Sequence, residues 1–317
     1  MKQPKTVYRV RNWKEYDQAL AKRGSLTFWI DEAVIAQWHQ TQKSGKRGAS
    51  RTYSDAAIVA MASLKRLFAL PGRACEGFLG SVFGLMGLAL PVPDHSTLSR
   101  RLGQLSLCLA VPLPSQPRHL VLDSSGFKVY GEGEWKVRVH GPAYRRGWLK
   151  LHLGVDANTQ EIVISQVTCA RQSDARVGEK LIRQTPGKLG QVSADGAYDA
   201  KDVYEAVALR GARATIRPNP RGKKPAKAKT TKAKTTNTDR ARNVARVEEI
   251  GLRAWKLESG YSRRSLVETG YSRLKRRFGD KLFSRNEENQ QVELQLLTLL
   301  LNRVTHLGMP KTQRVNL

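Results

Sequence analysis

The pattern of apolar and polar positions predicts a mainly helical N-terminal region. Apolar residues recur at helical spacing near residues 31–41, 55–69 and 73–88, which is the period of amphipathic helices. The breaks KSGKRGAS and LPG separate these segments and are typical of loops. We therefore expect the first part of the chain to form a small set of helices.

A short basic helix is predicted next, in the stretch PVPDHSTLSRRLGQL. Its two prolines end the preceding helix, and Asp94 or Ser96 can cap a new one. Arg100 and Arg101 then lie within its first two turns. A helix-turn-helix presents its second helix to the DNA major groove in this layout, so both arginines are candidate DNA contacts. Alternatively, they solvate a packed helix, and another part of residues 1–90 binds DNA.

Strand patterns replace the helical period after residues 111–117, where three prolines in VPLPSQP indicate a linker. Three apolar runs, HLVLD, WLKLHLGVDA and EIVISQVTCA, predict consecutive strands. A helix over SDARVGEKLIRQ, a strand GQVSA, a helix ending at Gly211 and a strand RATIRP follow. This order predicts an α/β fold with a mixed sheet flanked by helices. We place the domains at residues 1–117 and 118–317.

A basic segment at about residues 218–247 interrupts the second domain. RGKKPAKAKTTKAKTTNTDRARNVAR contains ten Lys or Arg residues and a single acid. Such a composition does not bury enough apolar surface to order itself. We interpret it as an insertion that contacts DNA, and the alternative is a solvated tether.

Net charge indicates a polyanionic partner. The chain of 317 residues has 55 Lys and Arg against 27 Asp and Glu, a formal net charge of +28. Phosphate neutralisation by such a surface gives salt-dependent DNA affinity; RNA or an anionic membrane surface are the alternatives. No signal peptide, apolar run of membrane-spanning length or metal-binding Cys or His spacing is present in the sequence. A cytoplasmic protein acting on DNA, and not on membranes, is therefore expected.

Four residues whose side chains could bind a metal ion or a phosphate recur at helical spacing in GYSRRSLVETGYSRLKRRFG. Tyr261, Arg264, Glu268 and Lys275 form the pattern Y-x2-R-x3-E-x6-K, which places them on one face of a single helix. A lone carboxylate among cations suggests a metal ligand beside phosphate-binding groups. The alternative is a face of solvated ion pairs.

Two further carboxylates follow apolar, strand-like runs. Asp123 ends HLVLD, and Asp195 follows GQVSA, so both are predicted at the C-terminal ends of strands. Together with Glu268 they can hold a pair of divalent cations, because Mg²⁺ and Mn²⁺ prefer oxygen ligands. Either aspartate alone could equally be a turn or cap residue.

These segments resemble the catalytic segments of bacterial insertion-sequence transposases of the DDE type. VLDSSGFKVYGEGEWKVR, VSADGAYD and the Y-R-E-K helix carry the likeness, and it is greatest to the insertion sequence five family and its insertion sequence nine-oh-three group. The resemblance implies a ribonuclease H-like fold preceded by a helical DNA-end-binding region. It also implies that Asp123, Asp195 and Glu268 are catalytic and bind two Mg²⁺ ions, with Mn²⁺ able to substitute.

Several cations and one aromatic residue complete the candidate site. Tyr261, Arg264 and Lys275 would support the phosphate, and the basic segment after the first Asp adds Lys136 and Arg138 as phosphate contacts. Trp255 precedes the predicted catalytic helix and is a candidate for stacking on an unpaired base. Packing is the alternative for this tryptophan.

The function expected from this resemblance is transposition. The enzyme would bind the terminal inverted repeats of its element, cleave a strand and join the exposed 3′ ends to target DNA. A dimer or higher oligomer is expected, since two ends are joined to one target. The alternatives are a ribonuclease H-like nuclease or resolvase without strand transfer, and a non-catalytic DNA-binding regulator.

Overall fold

The computed structural model describes residues 6–42, 45, 51–129, 147–219 and 238–316. Two compact units divide the chain: unit 1 comprises Met1–Leu105 and Leu299–Leu317, and unit 2 comprises Ser106–Thr298. This division differs from the predicted boundary after residue 117, chiefly because the last residues belong with the first. An antiparallel strand pair, Thr6–Val10 with Thr312–Asn316, joins them within unit 1.

Unit 1 is built from helices and this strand pair. The bounds are β1 Thr6–Val10, α1 Trp13–Lys22, α2 Leu26–Trp29, α3 Glu32–Ala36, α4 Asp55–Leu67, α5 Gly72–Leu85 and α6 His95–Leu102. The apolar helix α4 supplies much of the core, with Ile58, Met61 and Leu64 fully buried. Ser54 caps it, because its hydroxyl accepts a hydrogen bond from the Ala57 amide at 3.2 Å.

The predicted helices are present at two of the three segments as expected, whereas the helix over residues 31–41 is much shorter. It ends at Ala36, and the chain then extends so that His39 forms an isolated antiparallel bridge with Tyr53. The bridge is a long-range contact, which a helical period along the sequence does not reveal. Asp94 caps α6 as predicted, with its carboxylate accepting from the amides of Ser96 and Thr97.

A five-stranded mixed sheet forms the centre of unit 2. Its strands lie in the order β4-β3-β2-β5-β6. The first three are antiparallel neighbours, and β5 and β6 run parallel to β2. The bounds are β2 Arg118–Lys128, β3 Trp148–Asp156, β4 Ile162–Cys169, β5 Leu189–Ala194 and β6 Arg213–Ile216. The apolar runs predicted as strands are therefore strands.

Helices cover both faces of this sheet, as the alternation of elements predicts. The bounds are α7 Asp174–Gln184, α8 Lys201–Leu209, α9 Thr238–Glu258 with a kink at Gly251, α10 Ser265–Phe278 and α11 Glu287–Leu307, the last of which continues into unit 1. Leu120 and Leu122 of β2 share a core with α7 and α8. On the opposite face, α10 lies against the sheet, where a Cβ on Gly270 would be 3.9 Å from Val155.

Part of the basic segment at residues 218–247 is folded, contrary to the sequence expectation. Residues from Thr238 onward belong to α9, whereas residues 220–237 lie outside the described residues. Arg240 forms a bidentate pair with the buried carboxylate of Asp199, at 2.8 and 2.9 Å. The Asn243 amide donates to the Ala214 carbonyl of β6 at 3.0 Å. These tertiary contacts order a sequence whose composition alone predicts a loop.

Candidate active site

Asp123 lies within β2 and does not end it. The strand continues to Lys128 because β3 pairs with it throughout, with Asp123 opposite Leu153. The neighbouring parallel strand β5 stops at Ala194. Asp123 is therefore placed at a step in the sheet, where the partner on one side has ended and its side chain is about 80 % buried.

The parallel register brings Asp195 level with Asp123. Val121 of β2 pairs with Ser193 of β5, so positions two residues further along both chains are neighbours on the same face. Asp195 leaves the strand at this point and begins a short 3-10 turn, Gly196–Tyr198. Its carboxylate caps the turn by accepting from the Ala197 amide at 2.9 Å. The structure therefore confirms the turn-capping alternative for Asp195, and its role as a metal ligand stays a prediction.

Arg264 links the carboxylate of Glu268 to that of Asp123. The guanidinium of Arg264 lies 3.7 Å from the Asp123 carboxylate and forms a close ion pair with Glu268. One planar group thus contacts both carboxylates, which brings the predicted third acid to the first. The Glu268 side chain is 51 % exposed and is free of the core.

The four residues of the Y-R-E-K pattern do not share one continuous α-helix. Gly260 adopts φ 71°, which ends the preceding helix. Tyr261–Arg264 then form a 3-10 turn, and α10 begins only at Ser265. Arg264 and Glu268 nevertheless meet, because the 3-10 turn leads directly into the helix.

Tyr261 and Trp255 are packing residues in this structure. Both are buried, at 7 % and 2 % exposure, and their rings lie 5.3 Å apart. A buried indole offers no face to a base, so the stacking interpretation of Trp255 is replaced by its packing alternative. Burial raises the pKa of Tyr261, and the charges of Asp195 and Asp123 raise it further, whereas the charge of Arg264 lowers it.

Lys275 lies beside β2 on the same face as Asp123. Its ammonium donates to the Ser125 hydroxyl at 2.7 Å and lies 5.1 Å from the centre of the Phe127 ring. Burial lowers its pKa. This placement, two residues along the strand from Asp123, suits a cation that meets a phosphate at the site.

The electrostatics of Asp123 show a concentration of negative charge. Burial raises the pKa of Asp123, and the nearby charges of Asp195 and Asp174 raise it further. A hydrogen bond from the Ser124 amide and the charge of Arg264 act in the opposite direction. Like charges placed together in a partly buried site favour binding of a cation.

The residues present fit a divalent cation at Asp123 and Asp195. The donors are carboxylate oxygens, which Mg²⁺ prefers, and the raised pKa of Asp123 indicates charge that a cation would compensate. Among the described residues, no three His, Cys, Asp or Glu side chains stand close enough to hold a metal ion jointly. The Arg264 guanidinium lies between Asp123 and Glu268 and contacts both carboxylates.

The other predicted DNA contacts differ in burial and in the partners they bind. Arg101 is 8 % exposed, and its guanidinium binds the Tyr53 carbonyl and the Asp55 carboxylate. Arg101 is thus neither an exposed DNA contact nor the solvating side chain of the alternative, but a buried cation held by residues of unit 1. Arg100 is exposed, with a hydrogen bond to the Thr97 hydroxyl at 3.2 Å, and stays a prediction. Lys136 and Arg138 lie outside the described residues.

Three residues near the carboxylates were not predicted from the sequence as part of the site. Tyr271 of α10 donates to the carbonyls of Asp123 and Leu151, at 3.0 and 2.7 Å, and so fixes the backbone of the first acid. Asp174 and Tyr198 lie close enough for the charges of Asp174 and Asp123 to act on Tyr198. Tyr271 had a signal, since it follows Glu268 by three positions on one helix. From the sequence, Asp174 was predicted only as a residue at the start of a helix.

Comparisons with known proteins assign the family. The family model described as a transposase DDE domain matches residues 114–303, more than half of the chain, and a second model with the same description matches residues 21–132. The chain belongs to the DDE transposase family. It is therefore a metal-dependent enzyme that cleaves DNA and transfers strands, and such transposases generally use divalent ions such as Mg²⁺.

One solved structure to which the chain is similar is a piggyBac transposase synaptic complex with hairpin DNA, determined by cryo-EM. The two share 9 % sequence identity over 89 % of this chain and 75 % of that chain, with a TM-score of 0.34. A score this low supports no residue-level correspondence. None of the helices in the described ranges has the length and apolar character that a membrane span requires.

Proposed function

We propose that this enzyme is the transposase of an insertion sequence, similar to the insertion sequence five family and its nine-oh-three group, with a ribonuclease H-like catalytic fold. It binds the terminal inverted repeats of its element, cleaves at the element ends and transfers the 3′ ends into target DNA. The observation that supports this most strongly is the register of β2 and β5, which sets Asp123 level with Asp195, together with the bridge from Asp123 to Glu268 through Arg264.

The catalytic residues in this proposal are Asp123, Asp195 and Glu268. They would hold two Mg²⁺ ions, or Mn²⁺ in their place. Bound ions would lower the pKa of the attacking hydroxyl group and stabilise the negative charge on the leaving oxygen. Glu268 is half exposed, so it can leave Arg264 and turn toward the two aspartates. Arg264 is then available to the phosphate, with a planar guanidinium that matches phosphate geometry.

The surrounding groups orient the strand to be cut. Lys275 lies next to Ser125 and contributes positive charge on the side of β2 that carries Asp123. Tyr271 holds the Asp123 carbonyl, which restrains the carboxylate. The net charge of +28 supplies the sequence-independent part of DNA affinity, and Arg100, Lys136 and Arg138 are proposed to contribute to it.

Alanine substitution of the carboxylates tests this assignment. Asp123→Ala, Asp195→Ala and Glu268→Ala are each expected to abolish Mg²⁺-dependent cleavage of a duplex carrying the terminal repeat, while repeat binding in a gel-shift assay persists. Cleavage that survives all three substitutions would exclude this active site, whereas repeat binding without cleavage by the parent chain would favour the regulator alternative. Glu179→Ala is a matched control, because this carboxylate pairs with Arg183 one helical turn away and is not among the proposed metal ligands.

A second assay separates a transposase from a nuclease or resolvase. Precleaved repeat ends with free 3′ hydroxyls are incubated with a supercoiled plasmid and Mg²⁺. Covalently joined product is expected, because the same site performs hydrolysis and strand transfer. Cleavage without joining would identify a nuclease. Sedimentation of the complex with two repeat ends tests the proposed dimer or higher oligomer.

A further inference from the structure

Arg217 directly follows β6, at the same edge of the sheet as Asp195. Ala194 of β5 pairs in parallel with Ile216 of β6, so the next residues of the two strands, Asp195 and Arg217, are level with each other. The Arg217 amide donates to the Ala194 carbonyl at 3.4 Å, which extends the pairing by one residue. The Arg217 carbonyl lies 3.5 Å from the position of an added Cβ on Gly196. Arg217 is thus the neighbour of Asp195 across the sheet.

The alternation of side chains along β6 places Arg217 on the sheet face that carries Asp195. Ile216 belongs to the core shared with α7 and α8, so Thr215 and Arg217 have the opposite orientation. On that opposite face, the Gln191 side chain of β5 donates to the Thr215 hydroxyl at 2.8 Å. Asp195 has an extended backbone, with φ −79° and ψ −176°, and comes four positions after Gln191. It therefore belongs to the same face.

Three charged residues consequently lie side by side across three neighbouring parallel strands. Asp123 is level with Asp195 through the pairing of β2 and β5, and Asp195 is level with Arg217 through the pairing of β5 and β6. Because neighbouring strands are about 4.8 Å apart, the backbone of Arg217 is about 10 Å from that of Asp123. A DNA strand whose cleaved phosphate lies at the two aspartates has adjacent phosphates within reach of the Arg217 side chain.

The guanidinium of Arg217 is available to such a phosphate. Arg217 is exposed, and its side chain has no hydrogen bond or ion pair within the part of the chain that the structure describes. By contrast, the two arginines of the 3-10 turn before α10 are engaged. Arg263 donates to the Ala157 carbonyl at 2.8 Å, and Arg264 contacts two of the candidate carboxylates. A free planar guanidinium matches the geometry of a phosphate, which it binds through paired hydrogen bonds.

We propose that Arg217 binds a backbone phosphate of the DNA strand in the active site, within about three nucleotides of the phosphate that is cleaved. The inference rests on the proposed function of Asp123 and Asp195, since it takes their position as the place of cleavage. Arg217 contacts the substrate away from the reacting atoms and holds the strand in register with the carboxylates. Because this contact exists before and during the reaction, its loss weakens binding without slowing the bound complex.

Arg217→Ala in the full chain removes the contact. The parent Tm should be retained, because the substitution breaks no side-chain contact of the described fold. With enzyme in excess over a duplex carrying the terminal repeat, the half-saturating enzyme concentration for cleavage should rise on the order of tenfold. The cleavage rate at saturation and the half-saturating Mg²⁺ concentration should match those of the parent. Without Mg²⁺, the slope of log affinity against log salt concentration should fall by about one.

Neutral methylphosphonate linkages locate the phosphate that Arg217 binds. Each linkage near the cleavage site is replaced in turn, and the affinity of the parent and of Arg217→Ala for each duplex is measured without Mg²⁺. At a linkage within about three nucleotides of the cleavage site, neutralisation should weaken binding by the parent and not by the variant. Both changes would then remove one and the same contact. Equal losses for parent and variant at every linkage in that range would overturn the inference.

Arg213→Ala provides the matched control. Arg213 is exposed at the opposite end of β6, four residues before Arg217 and on the same face, so its removal changes the net charge equally. It should leave the half-saturating enzyme concentration close to the parent value. The inference is overturned if Arg213→Ala weakens binding as much as Arg217→Ala does. It is also overturned if Arg217→Ala alters the Tm or the Mg²⁺ dependence while keeping the parent affinity for DNA.

Asp195→Ala distinguishes failure of this inference from failure of the proposed function. If Asp195→Ala does not cleave while Arg217→Ala binds and cleaves as the parent does, the carboxylate site stands and Arg217 is not a DNA contact. If Asp195→Ala cleaves as the parent does, the proposed active site is wrong, and the inference about Arg217 is overturned with it.

Discussion

Arg264 lies 3.7 Å from the carboxylate of Asp123 and at the same time pairs with Glu268 one helical turn away. The guanidinium thus joins residues that are far apart in sequence and keeps two like charges in one place. Its side chain is 18 % exposed, so the guanidinium is largely shielded from water, whereas the Glu268 side chain is half exposed. We regard Arg264 as the group that organises the carboxylates before a cation is bound.

Arg264→Lys is predicted to impair cleavage while leaving the fold intact. Lysine keeps the charge, but its single ammonium cannot contact two carboxylates as the planar guanidinium does. The rate of repeat cleavage at saturating Mg²⁺ should fall on the order of tenfold. Arg183→Lys is the control, because Arg183 forms the same type of one-turn pair with Glu179, which is not a proposed metal ligand. Equal rates for parent and Arg264→Lys would remove the organising role.

Gly178→Ala is predicted to destabilise unit 2. The new methyl would meet the Tyr198 ring at 2.6 Å, and overpacking of this kind costs about 1–3 kcal/mol. Urea denaturation followed by circular dichroism measures the loss. Because the displaced ring belongs to the turn that Asp195 caps, cleavage should decline as well.

Gly80→Ala supplies the contrasting outcome in unit 1. Gly80 is an exposed position inside α5, and an added Cβ would meet nothing within 4 Å. Alanine is favoured over glycine in a helix by about 0.8–1 kcal/mol, so this variant should be slightly more stable than the parent. A loss of stability at Gly80, or a gain at Gly178, would contradict the packing seen here.

The local pattern of the sequence predicted elements well where burial repeats along the strand or helix. WLKLHLGVDA and SDARVGEKLIRQ became β3 and α7 at nearly the expected bounds. The stretch SSGFK after Asp123 carries no such pattern and is a strand only because β3 pairs with it. Likewise, residues 238–247 are helical because Asp199 and Ala214 bind their side chains. The spacing of apolar residues within one segment does not reveal which distant segment it pairs with.

The sequence allowed the candidate site to be proposed as a set of residue types, but it did not predict the geometry of these residues. The spacing of Arg264 and Glu268 correctly anticipated their contact. It could not anticipate the 3-10 turn that holds Arg264, which depends on the backbone of Gly260. The burial of individual side chains could not be predicted from the sequence either, because the exposure of Arg101 and Trp255 depends on the residues that pack around them.

Asp156→Asn is predicted to be strongly destabilising. Asp156 and Arg118 form an ion pair at 2.9 Å with side chains only 2 % and 1 % exposed. Removing one partner leaves the other charge buried and uncompensated, which costs about 3–5 kcal/mol. Urea denaturation at neutral pH measures it. The exposed pair of Glu179 and Arg183 is the comparison, since Glu179→Gln should change stability by at most about 1 kcal/mol.

Two buried histidines should make the fold sensitive to mild acid. Burial, as the largest cause, lowers the pKa of both His119 and His152 to about 4. The nitrogen Nε2 of each lies next to a hydroxyl, Ser193 Oγ at 2.8 Å and Thr168 Oγ1 at 2.9 Å. Both imidazoles are therefore neutral in the folded chain at pH 5, whereas unfolded histidines with a pKa near 6.5 are protonated.

The unfolded state consequently binds more protons between about pH 6.5 and pH 4, and stability falls as pH falls through that window. From pH 7 to pH 5 each histidine should cost about 2 kcal/mol of unfolding free energy. Urea denaturation at a series of pH values measures this slope. His119→Gln, which keeps an amide near Ser193, should flatten the slope by about that amount, whereas His306→Gln, at an exposed position, should retain it. An unchanged slope in His119→Gln would show that His119 is not the buried neutral group described here.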